Sequence, residues 1–321
     1  MTQSVLITRR IPELAMKKLK EQGINVIENS EDRPLSSREL HDLAQRSTGL
    51  ITMLSDKIDK DFLAANSHLK VISNFAVGHN NIDSAFAKTL GIQVGNTPDV
   101  LTHATAELAM TLLLACARNL QSATQNVKSG QWNNWEPMGF LGMELYGKCA
   151  AIIGAGRIGQ RMGEILNKGF GMNILYTAQS DKKDFEKSTQ ARRVELNEAL
   201  QMADIVSVHC PLTENTRNLF NQKNFALMKK GSIFINTARG EIHDEKALHH
   251  FLTNGTLFAA GLDVTNPEPM SMNSELLKLP NCLVLPHIGS ATVTARQEMA
   301  LICARNIIQG LNGEKLECSV V

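Results

Sequence analysis

Apolar residues follow two alternating patterns along the first hundred residues of the chain. Short β-branched and aliphatic runs predict strands, and between them apolar residues recur every three or four positions, as in amphipathic helices. The predicted strands cover residues 5–7, 24–27, 50–53, 71–72 and 92–94, and the predicted helices cover residues 12–21, 37–45, 59–65 and 83–90. This alternation predicts a parallel sheet, because parallel strands need crossover connections.

The pattern changes near residue 100 and then starts again. Residues 101–120 have almost no polar face, which predicts a buried helix where the first domain ends, and the segment with Trp132 and Trp135 predicts an irregular connection. A second series follows, with strands at residues 150–153, 173–176, 205–208, 232–235, 259–264 and 283–285 and helices at 157–167, 196–202, 223–228 and 244–252. An amphipathic segment, 292–311, comes last and is expected to return to the first domain. The predicted fold class is α/β, with two doubly wound parallel-sheet domains.

Composition narrows the classes of partner. The 321 residues exceed one typical domain, and the shares of 43% hydrophobic and 20% charged residues are those of a folded protein. A net charge of +1 with scattered basic residues argues against nucleic acid and membrane partners and favours a small molecule. No signal-peptide pattern and no apolar run of about 18 residues occur, so a cytoplasmic location is expected. Six separated cysteines without a C-x-x-C pair, and the lack of an H-E-x-x-H motif, predict reduced thiols and no metal.

A glycine-rich turn opens the second series. Gly154-Ala-Gly156-Arg-Ile-Gly159 follows a predicted strand and precedes a predicted helix, which is the setting of the dinucleotide-binding fingerprint. Gly154 permits a tight turn, Gly156 lets the backbone approach a pyrophosphate, and Gly159 lets the helix pack on the strand. The helix N-terminus adds N–H donors and partial positive charge. Glycines can also simply mark a surface turn, but the strand before and the helix after favour a phosphate site.

The position that selects between the two nicotinamide cofactors lies about 20 residues further on. An NAD site usually places an acid there, and this chain has Ala178. Neutral donors and cations follow, namely Gln179, Ser180, Lys182 and Lys183. These residues suit a 2′-phosphate and favour NADP(H) over NAD(H). Asp181, Asp184 and the absence of any arginine in the stretch stand against this, and the lysines also fit the start of a solvated helix.

Three later strands each end in reactive side chains. Arg239, Asp263, Glu268 and His287 follow predicted strands, and the carboxyl ends of parallel strands line the ligand crevice. Reduction of a 2-oxo acid needs a bidentate cation for the carboxylate and a proton donor, and Arg239 and His287 fit these roles. Glu268 beside the imidazole would keep it protonated. Taken singly, the three also fit a surface charge, a loop charge and a core histidine.

Several further motifs occur together with these residues. They are Val-Gly-His-Asn-Asn-Ile-Asp at 77–83, Asn-Thr-Pro at 96–98, Thr-Ala-Glu at 105–107, the glycine turn at 154–159, His-Cys-Pro-Leu-Thr at 209–213, Asn-Thr-Ala-Arg-Gly at 236–240, Glu-Pro at 268–269 and Pro-His-Ile-Gly-Ser-Ala-Thr at 286–292. With them the chain resembles the D-isomer-specific 2-hydroxyacid dehydrogenases along essentially its whole length. The resemblance implies a flavodoxin-like substrate domain of residues 1–99 and 288–321, a Rossmann cofactor domain of residues 100–287, and a cleft between them.

The resemblance also implies roles for individual residues. Arg239 would bind the substrate carboxylate together with Leu54 and the backbone N–H groups of Val77 and Gly78, and Glu268 would pair with His287. Taken with the glycine turn, it gives these expected cofactor contacts: Thr105, Gly154, Gly156, Arg157, Ile158, Gly159, Ala178, Gln179, Ser180, Lys182, Cys210, Pro211, Thr216, Thr237, Ala238, Asp263 and Gly289. A homodimer built through the helix after residue 100 is implied as well.

Within that family the chain is most similar to glyoxylate and hydroxypyruvate reductases, which favour NADPH. Their usual NADP-binding arginine is replaced here by Gln179. The expected reaction is reduction of glyoxylate or hydroxypyruvate to the D-2-hydroxy acid, with the proton from His287. Two alternatives stay open: another D-2-hydroxyacid dehydrogenase, of the D-lactate or D-glycerate type, and a non-catalytic NAD(H)-sensing protein that resembles the corepressors of this family.

Overall fold

A computed structural model describes residues 3–29, 31 and 33–320. The strands are β1 Ser4–Ile7, β2 Asn25–Glu28, β3 Gly49–Thr52, β4 Val71–Asn74, β5 Gln93–Gly95, β6 Cys149–Ile153, β7 Asn173–Thr177, β8 Arg192–Arg193, β9 Ile205–Val208, β10 Ser232–Asn236, β11 Leu257–Leu262 and β12 Cys282–Val284. The α-helices are α1 Glu13–Glu21, α2 Ser37–Ala44, α3 Lys60–Ala65, α4 Ser84–Thr89, α5 Thr102–Ala117, α6 Leu120–Lys128, α7 Arg157–Phe170, α8 Lys183–Thr189, α9 Leu196–Met202, α10 Gln222–Ala226, α11 Glu245–Thr253 and α12 Val293–Leu311.

The chain divides into two compact units. The first holds the chain up to Leu101 and again from Ser290, and the second is Thr102–Gly289. The boundaries expected from the sequence, 99/100 and 287/288, lie two residues before these. The α/β class with two parallel sheets is confirmed, because every strand pair in both sheets is parallel.

In the first unit a five-stranded sheet has the order β2-β1-β3-β4-β5. The strand order reverses between β1 and β3, where successive crossovers leave on opposite faces of the sheet. Helix α12 packs closely against β4, because a Cβ on Gly310 would lie 2.5 Å from Val71 Cβ. The C-terminal helix therefore completes the core of the unit in which the chain starts.

In the second unit a seven-stranded sheet has the order β12-β11-β10-β9-β6-β7-β8, with the reversal between β6 and β9. Buried aliphatic side chains cover both faces, as a parallel sheet requires. Helix α5 lies against β11, where a Cβ on Gly261 would be 3.0 Å from Leu112 Cβ. No α-helix in the described ranges is long and apolar enough to cross a membrane.

Three elements were not predicted. The helix expected over residues 101–120 is interrupted, because Asn119 adopts a left-handed conformation with φ 52° before α6 begins. Helix α6 buries none of its residues. The two exposed residues of β8 are too few to show an alternating pattern, and helix α8 is a single short segment with two buried residues.

Candidate active site

The glycine turn after β6 has the geometry of a phosphate cradle. Gly154 has φ 97°, and a Cβ there would lie 2.5 Å from the backbone nitrogen of Cys210. A Cβ on Gly159 would lie 2.3 Å from the carbonyl oxygen of Gly154, so only glycine lets α7 approach the strand this closely. Gly156, the N-cap of α7, faces open space instead, with no atom within 4 Å of its Cβ position. A dinucleotide pyrophosphate fits here, since the helix N-terminus offers N–H donors where no side chain intrudes.

An arginine from the neighbouring strand β8 contacts the loop after β7. Arg193, on β8, donates through Nε to the Ala178 carbonyl at 3.0 Å and through Nη2 to the Gln179 carbonyl at 3.3 Å. Its Nη1 is 2.9 Å from Asp181 Oδ1, while Lys182 Nζ donates to Ser180 Oγ at 3.1 Å. The stretch itself has no arginine, but the fold supplies one from outside it. Strand β8 pairs with β7 and brings in a guanidinium from 15 residues further along the chain.

Two of the reactive residues after the later strands form a pair. His287 Nδ1 lies 2.5 Å from Glu268 Oε1. An ionised carboxylate only accepts hydrogen bonds, so Nδ1 carries a proton in this pair and Nε2 is left for a substrate. The two side chains are 26% and 42% exposed, which keeps them accessible. A base, its orienting carboxylate and a route to solvent are therefore present together.

Asp263, at the end of β11, fixes the backbone around the histidine. Its carboxylate accepts from the N–H groups of Ile288 at 2.7 Å and Gly289 at 2.8 Å. His287 itself has φ 55°, the left-handed region that side chains rarely adopt, so the turn needs such support. Burial raises the pKa of Asp263, and the nearby charge of His287 opposes that rise. The carboxylate expected to meet the nicotinamide thus also holds the histidine turn.

A buried amide positions the arginine. Asn236, fully buried at the end of β10, donates from Nδ2 to the Arg239 carbonyl at 2.8 Å, and its Oδ1 accepts from the Ala238 N–H at 2.9 Å. The same Nδ2 contacts Nδ1 of His243 at 3.0 Å. Burial lowers the pKa of His243 to about 4 and also lowers the pKa of Arg239, where the charge of Glu268 acts in the opposite direction. Arg239, Glu268, His287 and Asp263 are therefore close enough to interact electrostatically.

Sequence reasoning missed Asn236 and His243 as functional candidates. A signal was available, since a polar amide that ends a strand with a central apolar run must find hydrogen-bond partners when it is buried. The loop after β11 is braced in a similar way. A Cβ on Gly240 would lie 2.1 Å from the carbonyl oxygen of Thr265, and Glu245 Oε1 accepts from the Asn266 N–H at 3.0 Å. The arginine turn and the loop that carries Glu268 therefore pack directly on each other.

Comparisons with known proteins agree with this geometry. Residues 110–289 match the family model described as D-isomer specific 2-hydroxyacid dehydrogenase, NAD binding domain. The chain belongs to the D-isomer specific 2-hydroxyacid dehydrogenase family. It is 44% identical over 319 residues to a glyoxylate reductase of Thermococcus onnurineus, which covers 98% of this chain and 94% of that protein. The human glyoxylate reductase/hydroxypyruvate reductase is 41% identical over 315 residues, covering 97% and 96%.

Similarity to a solved structure extends over the whole chain. The TT0316 protein of Thermus thermophilus superposes with a TM-score of 0.92 at 38% identity and covers 99% of this chain and 100% of its own. Membership of the family makes this protein an NAD(P)-dependent oxidoreductase that acts on 2-hydroxy or 2-oxo acids.

The other residues expected to contact the cofactor lie in the second unit. Thr105 on α5 contacts Gly289, whose Cβ position is 3.3 Å from Thr105 Cγ2. Thr237 is buried, and its hydroxyl has no hydrogen-bond partner among the described residues. The Thr216 hydroxyl donates to the Pro211 carbonyl at 2.6 Å and so closes a turn. A buried hydroxyl such as that of Thr237 costs free energy when it is unpaired, which supports a bound polar ligand at this end of the sheet.

The residues expected to contact substrate through the backbone lie in the first unit. Leu54 follows β3, and Val77 and Gly78 follow β4. Asn96 Nδ2 donates to the Val77 carbonyl at 2.8 Å, and Asn74 Nδ2 donates to the Gly78 carbonyl at 2.8 Å. These bonds fix the loop after β4. Among the described residues no group of histidine, cysteine and acidic side chains could hold a metal ion.

Proposed function

We propose that this protein reduces a small 2-oxo acid, either hydroxypyruvate to the D-2-hydroxy acid or glyoxylate to the corresponding achiral 2-hydroxy acid. The observation that carries the proposal is the His287–Glu268 pair at 2.5 Å, with Arg239 close enough to interact electrostatically with Glu268. The glyoxylate reductases to which the chain is similar support the choice of substrate. Hydroxypyruvate carries a hydroxymethyl group where glyoxylate carries a hydrogen atom. Both acids have a carboxylate and an adjacent carbonyl, which a guanidinium can bind bidentately.

Each residue then has one role. Arg239 binds the substrate carboxylate and polarises the adjacent carbonyl, aided by the loop with Leu54, Val77 and Gly78. A bound reduced nicotinamide would supply the hydride. His287 donates the Nε2 proton to the oxygen that becomes the hydroxyl, and Glu268 stabilises the imidazolium before that transfer. In the reverse direction the same imidazole accepts the hydroxyl proton.

We further propose NADP(H) as the preferred cofactor. Ala178 leaves no carboxylate where one would repel a 2′-phosphate. Ser180 and Lys182 lie on the loop after β7, and Arg193 on β8 contacts that loop. Arg193 pairs with Asp181, and both side chains are exposed enough, at 40% and 57%, for the guanidinium to turn toward a phosphate. Charge-assisted contacts of this kind are worth about 1.5–3 kcal/mol.

A homodimer is also proposed. Large apolar side chains are exposed along the segment after α6, with Trp132 67%, Trp135 77%, Met138 76% and Tyr146 78% exposed. Exposed apolar side chains in one segment favour an interaction surface, and a second copy of the chain is the simplest partner. Sedimentation equilibrium tests this, because a monomer at micromolar concentration would contradict it. The cytoplasmic location expected from the sequence stays a prediction.

An absorbance assay tests the proposed reaction. The pure protein is incubated with NADPH or NADH and with glyoxylate, hydroxypyruvate, pyruvate or phenylpyruvate, and loss of the reduced cofactor is followed at 340 nm. Fastest turnover is expected for NADPH with glyoxylate or hydroxypyruvate. Preference for pyruvate would indicate a D-lactate type enzyme. Binding of cofactor without turnover of any acid would favour the NAD(H)-sensing alternative.

A further inference from the structure

The side chain of Tyr176, on β7, reaches from the core of the second unit to the loop that follows its own strand. Its ring is fully buried and lies edge-on to the ring of Phe185, with 5.7 Å between the ring centres and 70° between the planes. Phe185 in turn packs on α7, because a Cβ on Gly163 would lie 2.5 Å from Phe185 Cζ. Close-packed rings have little freedom to move, so the core holds the phenol oxygen in one place.

The Tyr176 hydroxyl makes two hydrogen bonds beyond its own strand. It donates to Glu186 Oε1 at 2.5 Å and accepts from the Lys182 N–H at 2.9 Å. Lys182 is the N-cap of α8, and its carbonyl accepts from the Glu186 N–H at 2.8 Å. Burial and the hydrogen bond to Glu186 raise the pKa of Tyr176, so the hydroxyl keeps its proton near neutral pH. Tyr176, Lys182 and Glu186 therefore form a closed ring of hydrogen bonds between the core and the start of α8.

Different residues hold the two ends of the loop after β7, residues 178–182. At the start of the loop, Arg193 donates to two backbone carbonyls, and at its end the Lys182 N–H donates to Tyr176. A guanidinium that turns toward a phosphate gives up its ion pair with Asp181. The bond between Lys182 and Tyr176 does not involve that guanidinium. The end of the loop with Lys182 therefore keeps its shape when Arg193 turns.

The fixed backbone of Lys182 determines where its side chain starts. Lys182 Nζ donates to Ser180 Oγ at 3.1 Å, so the ammonium and the hydroxyl lie together on the loop. This loop follows Ala178, the position that meets the ribose 2′-oxygen in dinucleotide-binding domains. Because the Lys182 N–H and carbonyl are both bonded, only side-chain torsions remain to be fixed when the ammonium binds an anion. Fewer free torsions lower the entropic cost of binding.

We propose that Tyr176 and Glu186 are positioning residues for recognition of the 2′-phosphate of the cofactor. They act through the backbone of Lys182, which they hold where its ammonium and the Ser180 hydroxyl meet the phosphate. The inference rests on the proposed preference for NADP(H) and adds the residues that keep the loop in its binding shape. A cofactor without a 2′-phosphate offers the Lys182 ammonium no such partner, so its binding does not depend on this pair.

Isothermal titration calorimetry on the full chain without nicotinamide cofactor tests the role of Tyr176. The two probes, adenosine 2′,5′-bisphosphate and adenosine 5′-monophosphate, differ only in the 2′-phosphate. Tyr176→Phe keeps the buried ring and removes the hydroxyl. It should weaken binding of the bisphosphate about fivefold, as expected for one hydrogen bond, and change the Kd of the monophosphate less than about twofold. In a Lys182→Gln background Tyr176→Phe should add less than about twofold, because residues that act as a unit are not additive.

Two variants of Glu186 separate its role as a hydrogen-bond acceptor from its charge. Glu186→Gln and Glu186→Ala both remove the negative charge, but only glutamine keeps an oxygen that can accept from the Tyr176 hydroxyl. The alanine variant should therefore bind the bisphosphate about threefold more weakly than the glutamine variant. Equal Kd values in the two variants would overturn the role of Glu186.

A matched control on α8 tests whether lost stability alone explains the effect. Thr189 is buried, and its hydroxyl bonds to the backbone of Phe185 and Ala191. Thr189→Val removes these bonds at a distance from the loop, so it should leave the Kd of the bisphosphate within about twofold of the wild type. A change as large as that in Tyr176→Phe would show that stability accounts for both and would overturn the proposal.

The outcomes separate this inference from the proposed cofactor preference. If the wild type prefers the bisphosphate and Tyr176→Phe keeps the same preference, the role of Tyr176 is refuted and the preference for NADP(H) stands. Equal binding of the two probes by the wild type would refute the preference and this inference together. Neither probe carries a nicotinamide, so the result does not depend on which 2-oxo acid the enzyme reduces.

Discussion

Both units carry their charged residues on loops after parallel strands, but the loops are held differently. In the second unit two of the proposed catalytic residues have a buried polar side chain bonded to their own turn, Asn236 for Arg239 and Asp263 for His287. In the first unit one carboxylate, Asp56, links the loops after β1 and β3, and Arg10 is exposed. Proton transfer needs atoms fixed to a fraction of an ångström. Buried polar bonds therefore fix the backbone of the turns with Arg239 and His287, while the Arg10 side chain stays exposed.

The largest expected effect comes from removing the proposed proton donor, His287. This change leaves the hydrogen bonds of Asn236 and Asp263 to the two turns in place. His287→Ala should lower kcat about 10³-fold, because general acid catalysis is lost, while the Kd of NADPH stays near that of the wild type. Steady-state kinetics and fluorescence titration of the cofactor measure the two quantities. His250→Ala, an exposed histidine on α11, serves as the control, and near-normal kcat in His287→Ala would contradict the assigned role.

The next largest effect is expected from removing Arg239, the cation proposed to bind the substrate carboxylate. Arg239→Ala should lower kcat/KM for the oxo acid about 10²-fold, since two charge-assisted hydrogen bonds are lost. The KM should rise and kcat should fall, because the guanidinium acts on both the bound substrate and the transition state. Arg217→Ala, an exposed arginine of the same unit, is the matched control. An unchanged KM would show that another group binds the carboxylate.

The buried imidazole of His243, which contacts Asn236, should make the stability of the folded protein depend on pH. His243 has a pKa of about 4 in the folded protein against an ordinary value of 6.5, so the unfolded chain binds more protons below pH 6.5 and stability falls as the pH drops toward 4. His243→Gln removes this contribution. The loss of unfolding free energy between pH 7 and pH 5 should therefore be about 2 kcal/mol smaller in His243→Gln than in the wild type. Urea denaturation at both values measures it, and equal losses would show that His243 titrates normally.

A smaller effect tests whether His243 positions the turn with Arg239 or only stabilises the fold. His243→Phe keeps an aromatic ring beside Phe234 but removes the acceptor for Asn236, so the KM for the oxo acid should rise about tenfold as the arginine turn loosens. His243→Gln retains an acceptor and should restore most of the affinity. In an Arg239→Ala background His243→Phe should add nothing, because coupled residues are not additive. Additive effects would reduce His243 to a structural role.

An effect of similar size is expected at the cofactor loop at the edge of the second sheet. Arg193→Gln should raise the KM for NADPH about tenfold and leave the KM for NADH unchanged, since only the former has a 2′-phosphate to bind. Arg192→Gln, on the same two-residue strand, is the control. Equal changes for both cofactors would mean that Arg193 supports the loop without reading the phosphate.

Most elements of the fold were predictable from local pattern, because periodicity depends on neighbours a few residues apart. The glycine turn and the strand-end residues Arg239, Glu268 and His287 were found for the same reason, since each follows an apolar run. The elements that were missed, α6, α8 and β8, have no buried stripe or are too short to show one.

What the sequence determined by itself was the α/β class, the family motifs and the identity of the reactive residues. Only the tertiary structure brought Arg193 to Ala178, Asn236 to His243, and Arg296 to the loops after β1 and β3. The reason is physical: these contacts join residues whose separation along the chain bears no relation to their separation in space. Strand pairing and helix packing decide them, and these depend on the free energy of the whole core.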